Sequence, residues 1–586
     1  MILILHNHSR TGDILLCVFL YIPVAWLALV LAECFGEGGL PILIQNLTAA
    51  LNAPLNISWT EKSPVALLFA TGIYILCMGL YFTDRDKRRD GEEHGSAIWG
   101  SPRQVNAMFA QKQGKPLTRH VRLGLDAHKH KRNLNVLVIG GSGASKTRGY
   151  VKPNILEANT NYVITDPKME VLTATGGFLK SQGYDVRVLN LVNFEQSDGY
   201  NPFVYLRDDK DVLRLVHTLM QATNPKGSGS SDPFWDKAET ALLQAIILLL
   251  FHEAPAYEQN FSMVMRVLEF AEVREDDEEH ISPLDMLFAS LEQEQPDHIA
   301  VRQYKVYKQA AGKTAKSILI AAAVRLAAFN LPQVRAMTDH DDMDLYSLGE
   351  RKCALYAVIP DNDSTFNFLV SLLYAQAFQA LYYSADQIHH GALPRHVHFV
   401  LDEFAAMSLP GYTRELATMR SRNISSSTII QNIAQIKELY KDSWETILGN
   451  SDTILYLGGN ESSTHKLISE MLGKSSILTR SHGESHGKSG SFSTNTQSSG
   501  RELLTPDEVR MLDTRYCILF IRGARPVMDL KTDLTRHRNI RYTTDGGGPQ
   551  YVHRKPIYPG KPLFAAASSQ IQPKEENHLE NEPYDQ

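Results

Sequence analysis

The stretch from Asn135 to Tyr150, NVLVIGGSGASKTRGY, decides how the chain folds. Val136-Leu-Val-Ile139 is a short apolar run that predicts a buried strand, Gly140 and Gly141 end it, and Lys146-Thr147 predicts the opening of a helix. A glycine loop in that setting is a phosphate cradle. Its N–H groups and the helix N-terminus surround phosphate oxygens, Lys146 reaches the β- and γ-phosphates, and the Thr147 hydroxyl ligates Mg²⁺. Gly140, Gly141, Ser142, Gly143, Ala144, Ser145, Lys146 and Thr147 are therefore the candidate nucleotide-binding loop. Ser145 stands where the pattern has a second glycine. If that position needs φ > 0, a serine there costs on the order of 1 kcal/mol, a departure that bears on hydrolysis more than on binding.

Glycine turns are common, so the loop needs a partner. His398-Phe-Val-Leu-Asp-Glu403 supplies one, an apolar strand ending in two carboxylates. Asp402 would hold Mg²⁺ through water, and Glu403 would orient or deprotonate the attacking water. Further on, Ser425-Ser-Ser-Thr-Ile-Ile430 predicts a strand that delivers Gln431 at its end, where a neutral amide can hydrogen-bond the γ-phosphate or the water and register its presence. Arg420 and Arg422 precede that strand, and either can serve as an arginine reaching a neighbouring subunit's nucleotide, or simply as a surface cation.

Around this pair the α/β texture is extensive. Tyr162–Thr165, Asp185–Leu189, Ala354–Ile359 and Tyr516–Ile521 are further strand candidates, and alternation with helical segments predicts a parallel sheet. From about 206 to 340 strand candidates give way to helical spacing, as in Leu242, Leu243, Ile246, Ile247 and Leu250, which predicts an all-α insertion. Ala311-Gly-Lys-Thr314 imitates a phosphate loop, but no strand precedes it and its surroundings read as two helices broken near Gly312.

The chain has 586 residues, room for several domains, and its formal net charge of −6 excludes coating of nucleic acid by bulk charge. Seven Lys/Arg against one acid over 112–133, and Arg302, Lys305, Lys308, Lys313 and Lys316, read first as solvated faces. The acidic run 275–279 reads the same way. Five scattered cysteines argue against a zinc site or disulfide framework.

Residues 14–32 and 64–82 are charge-free runs long enough to cross a bilayer, giving spans over about 14–35 and 64–83. The first exceeds a signal-peptide h-region and no small-residue cleavage site follows it. The cations of Asp84-Arg-Asp-Lys-Arg-Arg89 place the following end in the cytoplasm, so residues 33–63 form a short external loop and the bulk of the chain is cytoplasmic. The Ser/Gly/His-rich stretch 475–500 predicts a mobile loop, Thr505-Pro-Asp-Glu508 a helix N-terminus, and 546–586 a disordered acidic tail.

These motifs in this order resemble the coupling proteins of type IV secretion and conjugation. The resemblance covers roughly residues 10–545. It rests on two membrane spans, His94-Gly-Ser-Ala97 with Trp99, the glycine loop, Val163-Ile-Thr-Asp-Pro-Lys168, Tyr200-Asn-Pro-Phe203, Asp232-Pro-Phe-Trp235, Leu401-Asp-Glu-Phe404, Gln431 and Gly500-Arg-Glu-Leu-Leu-Thr-Pro-Asp-Glu508. It implies a RecA-like nucleotide-binding domain (91–205 and 341–545) interrupted by an all-α domain (206–340) and anchored by a membrane domain (1–90). It also implies a homo-oligomeric, hexameric ring in the bacterial inner membrane. ATP and Mg²⁺ are the implied cofactors; a relaxase, single-stranded DNA and the secretion channel are the implied partners. Lys146, Thr147, Asp402, Glu403 and Gln431 match family positions, and the arginine finger falls best on Arg420, with Arg422 second. Two other readings stand beside this one: a nucleotide-binding receptor that recruits protein substrates without turnover, and a segregation translocase of the FtsK type. No ABC-transporter signature occurs.

Overall fold

The computed structural model describes residues 10–34, 46–48, 59–85, 92–224, 233–271, 281–310, 312–407, 409–485 and 491–553. The chain divides into two compact units, residues 1–97 with 473–503, and residues 98–472 with 504–586.

In the first unit, helices Arg10–Cys34 and Ser63–Arg85 pack together, with the Tyr74 hydroxyl donating to the Cys17 carbonyl at 2.7 Å. Ser63–Tyr81 is long and apolar enough to cross a membrane, whereas the apolar part of the first helix is the shorter Cys17–Ala32. Of the two expected spans, only the second thus meets the requirement on length and composition. Most of the expected external loop, and the acidic run 275–279, lie outside the described residues.

The stretch read as a mobile loop is instead a two-stranded antiparallel ribbon, Lys474–Ser485 with Ser491–Glu502. Composition misled here because a ladder's backbone hydrogen bonds do not depend on side-chain polarity, and threonine is itself a strand former. Ser96 bridges to Ser475 and extends the ribbon's edge.

The second unit is built on a nine-stranded sheet. In chain order its strands are β1 Val136–Ile139, β2 Asn161–Pro167, β3 Asp185–Asn190, β4 Cys353–Ile359, β5 Val397–Leu401, β6 Ile424–Ile430, β7 Thr453–Tyr456, β8 Tyr516–Ile521 and β9 Val527–Leu530. Their spatial order is β9-β8-β7-β1-β6-β5-β2-β4-β3. From β7 to β3 every pairing is parallel, and β8 and β9 add an antiparallel edge. Strands buried on both faces read as continuous apolar runs, which is why β1, β4 and β5 stand out in the sequence.

Helices run from Asp209 to Thr338 with no strand among the described residues, and they belong to the same compact unit as the sheet. The break near Gly312 falls between helices Ile299–Lys308 and Gly312–Arg325. Arg302 and Lys308 there pair with Asp297 (2.7 Å) and Asp285 (2.9 Å), and Lys305 pairs with Glu292. Part of the expected tail is ordered. Tyr551 N donates to Thr173 O at 3.1 Å and His553 Nε2 lies 2.8 Å from Asp198 Oδ1, so the chain is docked through His553. The acidic stretch beyond lies outside the described residues.

Candidate active site

Because β1, β5 and β6 are parallel neighbours, their C-terminal ends open on one edge of the sheet. That is where ligands bind in open parallel α/β sheets. β1 runs into the glycine loop. A Cβ on Gly140 would lie 3.1 Å from the side chains of Ala144 and Leu457, so the loop closes against the end of β7 with little room for a side chain there. Ser145 has φ +69°, the left-handed conformation that the glycine pattern anticipates, and it holds roughly 1 kcal/mol of strain.

Lys146 is buried and folds back over the loop, donating to Gly140 O (2.9 Å) and Gly141 O (3.3 Å), with Nζ 3.9 Å from Glu403 Oε1. The Thr147 hydroxyl donates to Asp402 Oδ2 at 3.1 Å. Behind it, Thr147–Val151 is a wide π-type turn in which Lys152 N reaches back to Thr147 O. Pro153 explains the turn: lacking an N–H, it cannot donate to Gly149 O as an α-helix would require.

β5 delivers Asp402 and Glu403. Asp402 is buried and its carboxyl is pushed up to about 6, first by burial and then by the adjacent Glu403 charge, with Thr147 and Lys146 pulling it back. Glu403 takes a left-handed backbone at φ +50°, which turns its side chain away from Asp402's and onto Gln431, whose Nε2 donates to both carboxylate oxygens at 3.1 and 3.3 Å. Asn432 caps the helix Ile433–Tyr440 by accepting from Gln435 N, which fixes Gln431 at the strand–helix junction.

Lys146, Thr147, Asp402, Glu403 and Gln431, some 285 residues apart in the chain at the extremes, thus form one cluster. The hydroxyl of Thr147 and the buried carboxylate of Asp402 are hard oxygen donors side by side, a donor set that fits Mg²⁺. Among the described residues no group of three or more His, Cys, Asp or Glu side chains forms a metal cage. Such a set suits an ion that takes its remaining ligands from phosphate and water.

Arg420 is not in this cluster. It is exposed on the turn Met419–Arg422 at the opposite edge of the sheet, one strand length away, roughly 20 Å by the rise of β6. Arg422 is committed elsewhere: its guanidinium donates to Asp386 at 2.7 and 2.8 Å and sits 4.4 Å from the Tyr382 ring centroid.

Two nearby groups escaped the sequence reading. Lys531, just past β9, donates to Ala144 O at 3.1 Å, and a cleft of about 320 Å³ opens between it, Ser145, Arg148 and Gly149. No local pattern marks it. Asp166, at the end of β2, is pushed up to about 7 by burial and by Asp402, while the amides of Val171 and Leu172 pull it back. Its position in Asp166-Pro-Lys168 was visible; the parallel pairing of β2 with β5 that brings it beside Asp402 was not.

The strand–glycine loop–helix unit, facing a strand that ends in two carboxylates, defines a P-loop nucleotide-binding protein of the parallel α/β class. The family model described as "Type IV secretory system Conjugative DNA transfer" matches residues 97–532, and the chain belongs to that family. It is similar to Protein VirD4 of Rhizobium radiobacter, at 25% identity over 424 residues, covering 69% of this chain and 57% of that protein's length. Against Protein VirD4 of Agrobacterium fabrum (strain C58 / ATCC 33970) the identity is 24%, over 82% of this chain and 70% of the other. Against Conjugal transfer protein TraG of Escherichia coli it is 23%, over 88% and 84%. Among solved structures, the plasmid coupling protein TrwB in complex with ADP and Mg²⁺ superposes with a TM-score of 0.55 at 17% identity, over 75% of this chain and 94% of that one. That likeness supports the fold.

Proposed function

We propose that the protein is a membrane-anchored ATPase of a conjugative type IV secretion machine, coupling a relaxase-bound single-stranded DNA to the channel. One observation carries this reading: Lys146, Thr147, Asp402, Glu403 and Gln431 converge at one sheet edge, in a chain of the conjugative DNA-transfer family. The TrwB complexes with ADP and Mg²⁺ and with a non-hydrolysable ATP analogue support ATP and Mg²⁺ as its ligands.

The loop residues Gly140–Thr147 bind the phosphates, and Lys146 exchanges its loop carbonyls for phosphate oxygens. Thr147 and Asp402 hold the ion, which when bound neutralises charge on the transferring phosphoryl group. Glu403 orients the attacking water and accepts its proton, and Gln431 holds the Glu403 carboxylate in place. Arg420, at the far edge of its own sheet, acts on a neighbour's nucleotide in a hexameric ring. The two N-terminal helices form a multi-pass anchor in the bacterial inner membrane. The sheet residues (91–205 and 341–545) act as the RecA-like motor and residues 206–340 as its all-α insertion.

The test is steady-state ATPase of the full chain in detergent, with and without single-stranded DNA. DNA-stimulated turnover that disappears in Lys146→Ala is expected. Tight ATP binding without turnover under either condition would instead establish a substrate receptor.

A further inference from the structure

β6 is buried throughout, yet it reads Ile424-Ser-Ser-Ser-Thr-Ile-Ile430, with four consecutive hydroxyls in the middle of a parallel sheet. A central strand that served only packing would be aliphatic. Each hydroxyl is hydrogen-bonded. On one face Ser426 and Thr428 lie 2.7 and 2.6 Å from the Tyr412 hydroxyl. On the other, Ser425 and Ser427 belong to a continuous buried chain that starts behind the phosphate loop and ends at the arginine turn.

That chain can be followed atom by atom. Tyr150, in the wide turn behind Lys146-Thr147, has its hydroxyl 2.6 Å from Ser427 Oγ. Ser427 Oγ lies 2.9 Å from His398 Nε2, and His398 Nδ1 lies 2.7 Å from Ser425 Oγ. Ser425 Oγ lies 2.8 Å from His396 Nε2, and His396 Nδ1 lies 2.9 Å from Asn423 Oδ1. Asn423, left-handed at φ +62°, donates its backbone N–H to Arg420 O at 3.3 Å and closes the turn that presents Arg420. His398 sits on β5, the strand that leads into Asp402 and Glu403, and His396 immediately precedes it.

Lys115 joins the chain at its middle. Its buried amine lies 3.0 Å from Leu134 O, 2.9 Å from Ser425 Oγ and 2.9 Å from His398 Nδ1, and burial pushes its pKa well below the ordinary lysine value. Lysine, serine and histidine thus meet at one point of the chain, and a buried polar network of hydrogen-bonded groups rigidifies its surroundings.

We propose that Tyr150, His398 and Lys115 are positioning residues that tie the turn behind the phosphate loop to the arginine turn across the sheet, so that filling the nucleotide site alters the presentation of Arg420. The inference rests on the ATPase reading given above. The element that would take up the shift is the π-type turn Thr147–Val151, which shares its first residue with the proposed ion site and carries Tyr150. A shift of that turn on phosphate binding pulls on β6 through the Tyr150 hydroxyl.

The experiment is hydrogen–deuterium exchange on the full chain in detergent, with and without a non-hydrolysable ATP analogue and Mg²⁺. In the wild type, peptides spanning 419–423 are expected to change protection about threefold or more on nucleotide binding, although they lie at the other edge of the sheet. Tyr150→Phe keeps the ring and removes one hydroxyl; it is expected to keep nucleotide affinity within about twofold while losing that response. Tyr374→Phe is the control, since it removes a buried hydroxyl 2.9 Å from Thr165 on β2, outside the chain, and should leave the response intact. Ser427→Ala provides a second cut if Tyr150→Phe fails to fold. An unchanged 419–423 signal in a wild type that binds nucleotide, or a full response in both cut variants, overturns the proposal. A wild type that does not bind the analogue overturns the ATPase reading itself.

Discussion

The two ends of β6 are built for different tasks. At its C-terminal end Gln431 is engaged, donating to Glu403 within a cluster whose every member comes from the same sheet edge. At its N-terminal end Arg420 is exposed on a short 3₁₀ turn, while the neighbouring Arg422 is tied down by Asp386 and Tyr382. A residue that completes a site within its own subunit is held in place; one that completes a site elsewhere must be left free to leave the surface. The contrast between Arg420 and Arg422 favours the former for the role in trans proposed above, since Arg422 is already paired with Asp386.

The largest effect is expected at the free end. Arg420→Ala should lower kcat by roughly 10³-fold or more, the range known for arginine fingers, with nucleotide affinity nearly unchanged. Mixing Arg420→Ala subunits with Lys146→Ala subunits should restore part of the turnover, because an intact loop then meets an intact arginine across some interfaces. Activity of the mixture no greater than the sum of its parts would put Arg420 outside any shared site. At the engaged end, Glu403→Gln should lower kcat by about 10²- to 10⁴-fold while leaving ATP binding intact, and mixing it with Lys146→Ala should rescue nothing, since both lesions sit in one subunit's site. Rescue in that second mixture would erase the distinction between the two ends.

How much of this was legible beforehand follows from where the information lies. β1, β5 and β6 with their terminal residues announce themselves because strand, loop and functional side chain are contiguous: Val136–Thr147, His398–Glu403 and Ser425–Gln431 each carry their own context. β7 and β9, four residues each, lack that context and were not read, although Gly458 O at the end of β7 accepts from Gly141 N at 2.9 Å and shapes the loop. The basic run 112–133 was legible as composition and not as roles. Lys115 is buried in the hydrogen-bonded chain, Arg122 pairs with Glu157 at 2.9 Å, and Lys129 pairs with Asp126 at 3.2 Å. A charge count cannot separate a buried lysine from a solvated one, since burial depends on partners such as Ser425 that are 310 residues away.

pH sharpens the comparison because Asp402, at the engaged end, has its carboxyl pushed up toward neutrality. The Asp402 carboxyl stands at about 6 in the fold against 3.8 in an unstructured chain, so between these values the folded state holds the extra proton and stability falls as pH rises. Ion binding runs the other way, since it needs the ionised form. Affinity for the nucleotide–Mg²⁺ pair should weaken about tenfold per unit as pH drops below about 6, measured by fluorescent-nucleotide titration. Asp402→Asn should remove that slope together with most of the ion's contribution, whereas Arg420→Ala should leave the slope in place.

The smallest effect is expected at Ser145. Its φ of +69° is a conformation glycine adopts freely, so Ser145→Gly removes roughly 1 kcal/mol of local strain and also loosens the unfolded chain, two terms of similar size and opposite sign. The net change in Tm should therefore be small. What decides the matter is turnover: the loop already has the shape that a glycine would give it, with Lys146 against Gly140 O and Thr147 against Asp402, so Ser145→Gly should leave kcat within about threefold of the wild type. A gain of about a hundredfold would mean that the serine restrains the loop during the reaction, and would move the limit on turnover from the free arginine at one end of β6 to the cradle beside the other.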